Sequence, residues 1–177
     1  MSTLKVDNIA NTAGVTTNRI LQVKHVRDEA IGSQSVTTSA PVALSNLSID
    51  ITPSSSSSLF LLQAQWSGEL SVTSAPYNSG FYFDRSGTAL RPSGVGNRGS
   101  FLAPTLATYD LQAANTMDTA FITYLDAPST TSQITYKVYF DSAYVNCTLY
   151  TNRVVSDSDA STVERTFSTF IVMEIAG

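Results

Sequence analysis

At 177 residues the chain is long enough for one domain with a real core plus an arm, and too short for two full domains. Only 14% of its residues are charged against 42% hydrophobic, and serine and threonine fill roughly a quarter of it, so the polar surface is built from hydroxyls rather than charges. A net charge of −4 and a pI near 4.7 exclude a nucleic-acid partner, and the single cysteine, Cys147, excludes an intrachain disulfide.

The first segment, STLKVDNIANTAG, occupies residues 2–14. Its apolar residues Leu4, Val6 and Ile9 read as a short strand, and residues 11–14 supply a turn. One strand this short has no hairpin partner in sequence. It needs an outside surface to pair with, either another copy of the chain or a larger assembly. The start, MSTLKVDN, lacks the basic and apolar regions of a signal peptide, and no apolar run approaches the roughly 20 residues of a membrane-spanning helix. The expectation is a chain made in a cytoplasm, with no membrane insertion.

Further strands are predicted at residues 21–26, 35–38, 43–51, 59–70, 80–84, 88–90, 119–125, 134–140, 147–152 and 167–176. Residues 27–31, RDEAI, read as one helical turn stopped by Gly32. PSSSSS at 53–58 reads as a solvated, mobile loop tip. Arg85, Ser86 and Gly87 close a tight hairpin, because Ser-Gly readily supplies positive φ, and Asp126, Ala127 and Pro128 are expected to do the same. Many short strands at this spacing imply a sandwich or barrel.

Two of these strands are apolar on both faces. In residues 167–176, Phe170 and Val172 lie opposite Ile171, Met173 and Ile175; in 59–66, Leu59 and Leu61 lie opposite Phe60, Leu62, Ala64 and Trp66. An antiparallel sandwich buries one face of each sheet, so a strand apolar on both sides points to a partner that covers the second. Phe170, Ile171, Val172, Met173 and Ile175 are therefore the expected oligomer interface.

Residues suited to chemistry are sparse. His25 is the only histidine, and no GxSxG elbow accompanies it. Cys147 sits in an alternating segment and reads as a small buried residue. Asp157, Asp159 and Glu164 could offer oxygen ligands to calcium but lack the spacing and the glycine of a calcium loop. Glu29, Glu69, Glu164 and Glu174 form no paired-carboxylate motif for glycoside hydrolysis. No cofactor, metal or catalytic residue is expected. RPSGVGNRG at 91–99 has no strand-to-helix context for phosphate and reads as a surface loop. With Tyr77, Asn78, Arg91, Asn97 and Arg98 it forms a candidate receptor region able to stack on and hydrogen-bond a host-surface glycan.

STLKVDNIANTAG resembles a segment at or near the start of many tail-fibre and other virion proteins of phages, notably those of marine cyanobacteria. FYFDRSGTAL, FITYLDAPSTTSQITYKVYF and the closing ERTFSTFIVMEIAG are similar to the distal domain of such proteins. The resemblance implies a homotrimeric structural protein of the virion: an N-terminal attachment arm, residues 1–32, followed by a jelly-roll-like β-sandwich, residues 33–177. Leu4, Val6 and Ile9 would attach it to other virion proteins of tail or capsid or pair it with neighbouring chains. No extended shaft repeat is present, which implies a short fibre, a knob or a decoration protein. The competing readings are a capsid decoration or capsid-fibre protein and a carbohydrate-binding module that recognises host glycans.

Overall fold

The computed structural model describes residues 19–38, 40–72, 78–94, 96, 98–104, 116–142 and 146–177, and among these every regular element is a strand. In chain order they are β1 (Ile20–Asp28), β2 (Gly32–Val36), β3 (Val42–Ile51), β4 (Leu59–Val72), β5 (Ser79–Arg85), β6 (Thr88–Leu90), β7 (Ala103–Pro104), β8 (Asp118–Asp126), β9 (Ile134–Ser142), β10 (Cys147–Thr151) and β11 (Ser168–Ile175). All pairings between them are antiparallel.

The first sheet is organised by β4. One of its edges carries β8, and the other is shared end to end by β11, opposite residues 59–65, and β10, opposite residues 68–72. β1 and β2 lie outside β11 and β10. The sheet is thus four lines, β1/β2, β11/β10, β4 and β8, two of them broken in the middle. The second sheet has the order β3, β9, β5 and then β6 with β7. Successive lines alternate between the sheets except at the β5–β6 hairpin. The arrangement is a two-sheet antiparallel β-sandwich, consistent with the jelly-roll-like sandwich expected.

Alternation builds the core. Phe60, Leu62, Ala64 and Trp66 of β4 and Phe170 and Val172 of β11 point inward against Phe81 and Phe83 of β5 and Tyr136, Val138 and Phe140 of β9. Rings meet across the gap: Trp66 lies 4.8 Å from Phe81, and Phe83 stacks on Phe170 at 5.3 Å and 22°. Each such pair adds about 0.5–1.5 kcal/mol beyond its burial. The polar tips inside this core are all tied. Trp66 Nε1 donates to Thr151 Oγ1 at 3.1 Å, and the Tyr136 hydroxyl donates to Asp126 at 2.7 Å. Asp126 in turn accepts from Arg85 at 2.8 and 2.9 Å. Gly68 is required where β10 crosses closest, since a Cβ there would fall 1.9 Å from the Tyr150 carbonyl oxygen.

Both broken lines are stitched by one residue. Asn152 follows β10 with φ 61, a left-handed turn that asparagine tolerates, and it is fully buried. Its amide donates to the carbonyls of Asp28 and Ala30 at 2.8 and 2.9 Å, across the gap between β1 and β2, while its Oδ1 accepts from Ser168 at the start of β11.

Four expectations are corrected here. Residues 20–28, assigned to the arm, form β1 and pair with β11 from Ile20↔Ile175 to Asp28↔Ser168, so the expected boundary after residue 32 cuts through a sheet. Leu4, Val6 and Ile9 lie outside the described residues. Residues 27–31 hold no helical turn; Arg27 and Asp28 finish β1, because pairing with β11 satisfies the backbone groups that a lone turn would leave open. Asp126, Ala127 and Pro128 close no hairpin but begin a crossing, since β8 pairs with β4 and β9 belongs to the other sheet. The Ser86–Gly87 turn, by contrast, is a two-residue hairpin with φ of 47 and 93 at its two central residues, as expected.

The serine loop is the fourth. Its Ser54, Ser56 and Ser57 are exposed as expected, but Ser58 is buried, and Ser54 and Ser58 bind the carboxylate of Glu174 on β11.

Candidate interaction surfaces

The five expected interface residues divide. Phe170 and Val172 are buried in the chain's own core and leave the interface, while Ile171, Met173 and Ile175 emerge on the outer face of the first sheet. The alternation of β11 dictates that these sets oppose one another; the packing of β4 decides which is inside.

Register aligns the outward side chains into rows. Val23, Met173, Leu61 and Leu125 form one row across all four lines. Ile175 and Leu59 extend it at the Ile20 end of β1. On the other side the rows become more polar, with His25, Ile171, Gln63 and Thr123, then Arg27, Thr169, Gln65 and Phe121. The exposed members are large: Ile20 is 60% exposed, Phe121 58%, Leu125 56% and Val23 53%. An apolar patch that runs across every line of a sheet is the usual mark of a contact surface. Sequence reasoning found its β11 and β4 components but missed Val23, Phe121 and Leu125, because which side of β1 and β8 turns outward is set by their pairing with β11 and β4.

The candidate receptor residues partly converge. Asn78, Arg91 and Arg98 line one open polar recess of about 270 Å³ together with Asp141 and Phe101. Tyr77 and Asn97 lie outside the described residues. Arg91 bridges to Asp141 at 2.9 Å and lies over the Tyr82 ring at 4.4 Å, which holds its guanidinium at the wall. Tyr82 stacks on Tyr139 at 5.5 Å, and burial pushes its hydroxyl up to about 12 despite the opposing pull of Arg91. The recess therefore offers amide, guanidinium and carboxylate groups beside an aromatic ring, a set able to hydrogen-bond a polyol.

Other polar groups are occupied within the fold. Burial would raise the Glu174 carboxyl, but hydrogen bonds from Ser58 Oγ, Gln22 Nε2, and the Ser54 amide and hydroxyl, at 2.5–3.1 Å, outweigh it and hold the group below the ordinary value. Of the acidic residues considered for calcium, Asp157 is bound by Arg153 and Arg165, and Glu164 accepts from the Met117 amide at 2.9 Å. At the other end of β4, burial pushes Glu69 up, with Asp118 and Glu164 adding repulsion against its hydrogen bond from the Val155 amide. Among the described residues, no three His, Cys, Asp or Glu side chains are grouped so as to hold a metal ion. Cys147 is buried, and burial raises its thiol against ionisation, partly offset by a hydrogen bond with Ser142. Among the described residues no helix is long and apolar enough to cross a membrane. No protein-family model matches the chain, and no curated protein is significantly similar to it.

Proposed function

We propose that the chain is a structural protein of a bacteriophage particle, a short homotrimeric tail fibre or fibre-like appendage. The N-terminal segment with Leu4, Val6 and Ile9 ties it into the assembly, and its loops contribute to attachment at the host surface. The resemblance of its terminal and central segments to phage fibre proteins supports this reading, as does a strand order compatible with a jelly roll. The observation that carries it is the apolar outer face of the first sheet, where Ile171, Met173, Ile175, Leu61 and Leu125 stand on the side away from the core. Burying one such side chain contributes about 1.5–3 kcal/mol, so several from each of three copies suffice for a stable assembly. Sedimentation equilibrium of the full chain at micromolar concentration is expected to give three times the monomer mass, and cryo-microscopy of particles is expected to place the chain in an appendage. A monomer in solution would overturn the reading.

The recess at Asn78, Arg91 and Arg98 favours a second reading, a carbohydrate-binding module. Binding of host-surface glycans by the isolated protein, lost in Arg91→Ala, is the outcome that would favour it.

A further inference from the structure

A sandwich has four sheet edges, and three of these are blunted. The β1/β2 line carries Lys24 and Arg27, a register shift between Ile20 and Gln22, and a break before the five-residue β2. β3 is bulged between Ala43 and Ser48. β6 and β7 are three and two residues long. Charges, bulges and short strands are the devices that stop a sheet edge from recruiting another strand. β8 is neither bulged nor short, and its charges, Asp118 and Asp126, stand only at its two ends. It runs nine residues in unbroken register with β4, from Phe60↔Asp126 to Gly68↔Asp118, and pairs with no other strand among the described residues. Its interior, TAFITYL, contains no charge, proline or glycine and is rich in strand-favouring residues.

We propose that β8 is a strand-accepting edge, and that its occupant is the N-terminal segment around Leu4, Val6 and Ile9 of a neighbouring copy. This rests on the self-association proposed above and names how one copy engages the next. The segment has the alternation of a strand without a hairpin partner. Added beside β8, Leu4 and Val6 would join the outer side that carries Phe121, Thr123 and Leu125, and Lys5 would face the inner side, where Asp118 and Asp126 lie at the two ends of β8. The ten residues between Ile9 and Ile20 reach about 33–36 Å when extended. Three strand spacings, about 14 Å, separate β1 from β8. Length therefore permits the segment to reach the chain's own β8 as well, but that path would lay the polar linker ANTAGVTTNR over Ile175, Leu59, Met173 and Leu61 and strand its backbone groups on an apolar face. Leaving the molecule keeps the linker in water.

The test uses the full chain. Val6→Pro removes a backbone donor from the segment and is expected to lower the assembly's mass, or raise its dissociation constant at least tenfold, with unchanged circular dichroism; Thr17→Pro in the linker is expected to leave the mass unaltered. Cysteines introduced singly at Leu4, Val6 or Ile9, each combined with Phe121→Cys or Leu125→Cys, are expected to give covalent oligomers on oxidation, since Cys147 is buried. If the wild type is oligomeric but Val6→Pro keeps its mass and no pair links two copies, or if links form only within one chain, this inference falls and the self-association stands. A monomeric wild type overturns both.

Discussion

The two sheets share one core, yet their outer faces are built for different surroundings. On the second sheet Tyr82 stacks on Tyr139 beneath Arg91, Arg91 pairs with Asp141, the Thr135 hydroxyl donates to Asp50 at 2.6 Å, and Lys137 stands opposite Asp84. Nearly every apolar surface there is capped by a charged or hydroxyl group, as a water-facing sheet requires. On the first sheet the central row, Val23, Met173, Leu61 and Leu125, has no polar member at all. Since inner faces are apolar in any sandwich, it is the outer faces that report whether a sheet is finished. The second sheet's outer face is capped for water, and the first sheet's keeps an uncapped apolar row.

The sharpest way to break this comparison uses adjacent residues on opposite faces of β11. Val172→Asp puts an unpaired carboxylate in the core and is expected to cost more than about 4 kcal/mol, leaving a chain unfolded by circular dichroism. Asn152→Ala comes next. It removes the donors that hold the Asp28 and Ala30 carbonyls and is expected to cost about 1–3 kcal/mol in urea denaturation, because those buried acceptors lose their partner.

Glu174→Gln probes the inner side of the same strand, with an expected loss of about 1–3 kcal/mol at neutral pH. Its folded pKa is depressed, so its contribution is fully present above the ordinary value of 4.5 and disappears as pH falls through the folded value. Glu69 and Asp118 have the opposite sign: burial raises both, so their ionisation opposes folding and protonation relieves it. The variant is therefore expected to flatten the decline of wild-type stability below pH 4.5, read as melting temperature against pH.

The smallest effects on monomer stability belong to the outer faces. Ile171→Asp is expected to keep the fold while lowering the mass of the assembly in sedimentation velocity. Lys137→Ala, on the water-facing sheet, is expected to stay within about 0.5 kcal/mol and leave the mass unchanged. Equal behaviour of these two substitutions would erase the distinction between the faces.

Local rules made much of this legible. Alternation exposed the strands and the doubly apolar character of β4 and β11, and the Ser86–Gly87 turn followed from its residue types. Alternation says only that Ile171 and Val172 oppose one another; which one meets the core depends on how β4 packs. The strand at residues 21–26 was legible but its place in the sheet was not: Lys24, His25 and Arg27 give it no clear core face, although its backbone pairs with β11 along its length. The serine loop was misread for a different reason. Its partner, Glu174, is 116–120 residues away in sequence, and a carboxylate that far along leaves no mark in the pattern around PSSSSS.

The placement of β11 sets a schedule for biosynthesis. It is the last strand in chain order, yet it lies inside the first sheet, between β1 and β4. Until residues 168–175 leave the ribosome, β1 lacks the strand it pairs with, half of one edge of β4 is open, and Phe83 lacks the ring it stacks on. Contacts this distant in sequence make folding slow and expose partly folded chains to aggregation, which favours a chaperone or fast partner capture during expression. The same order acts as a proofreading step: a copy whose translation stops before β11 cannot present the row through Met173 and so lacks the surface on which assembly would depend.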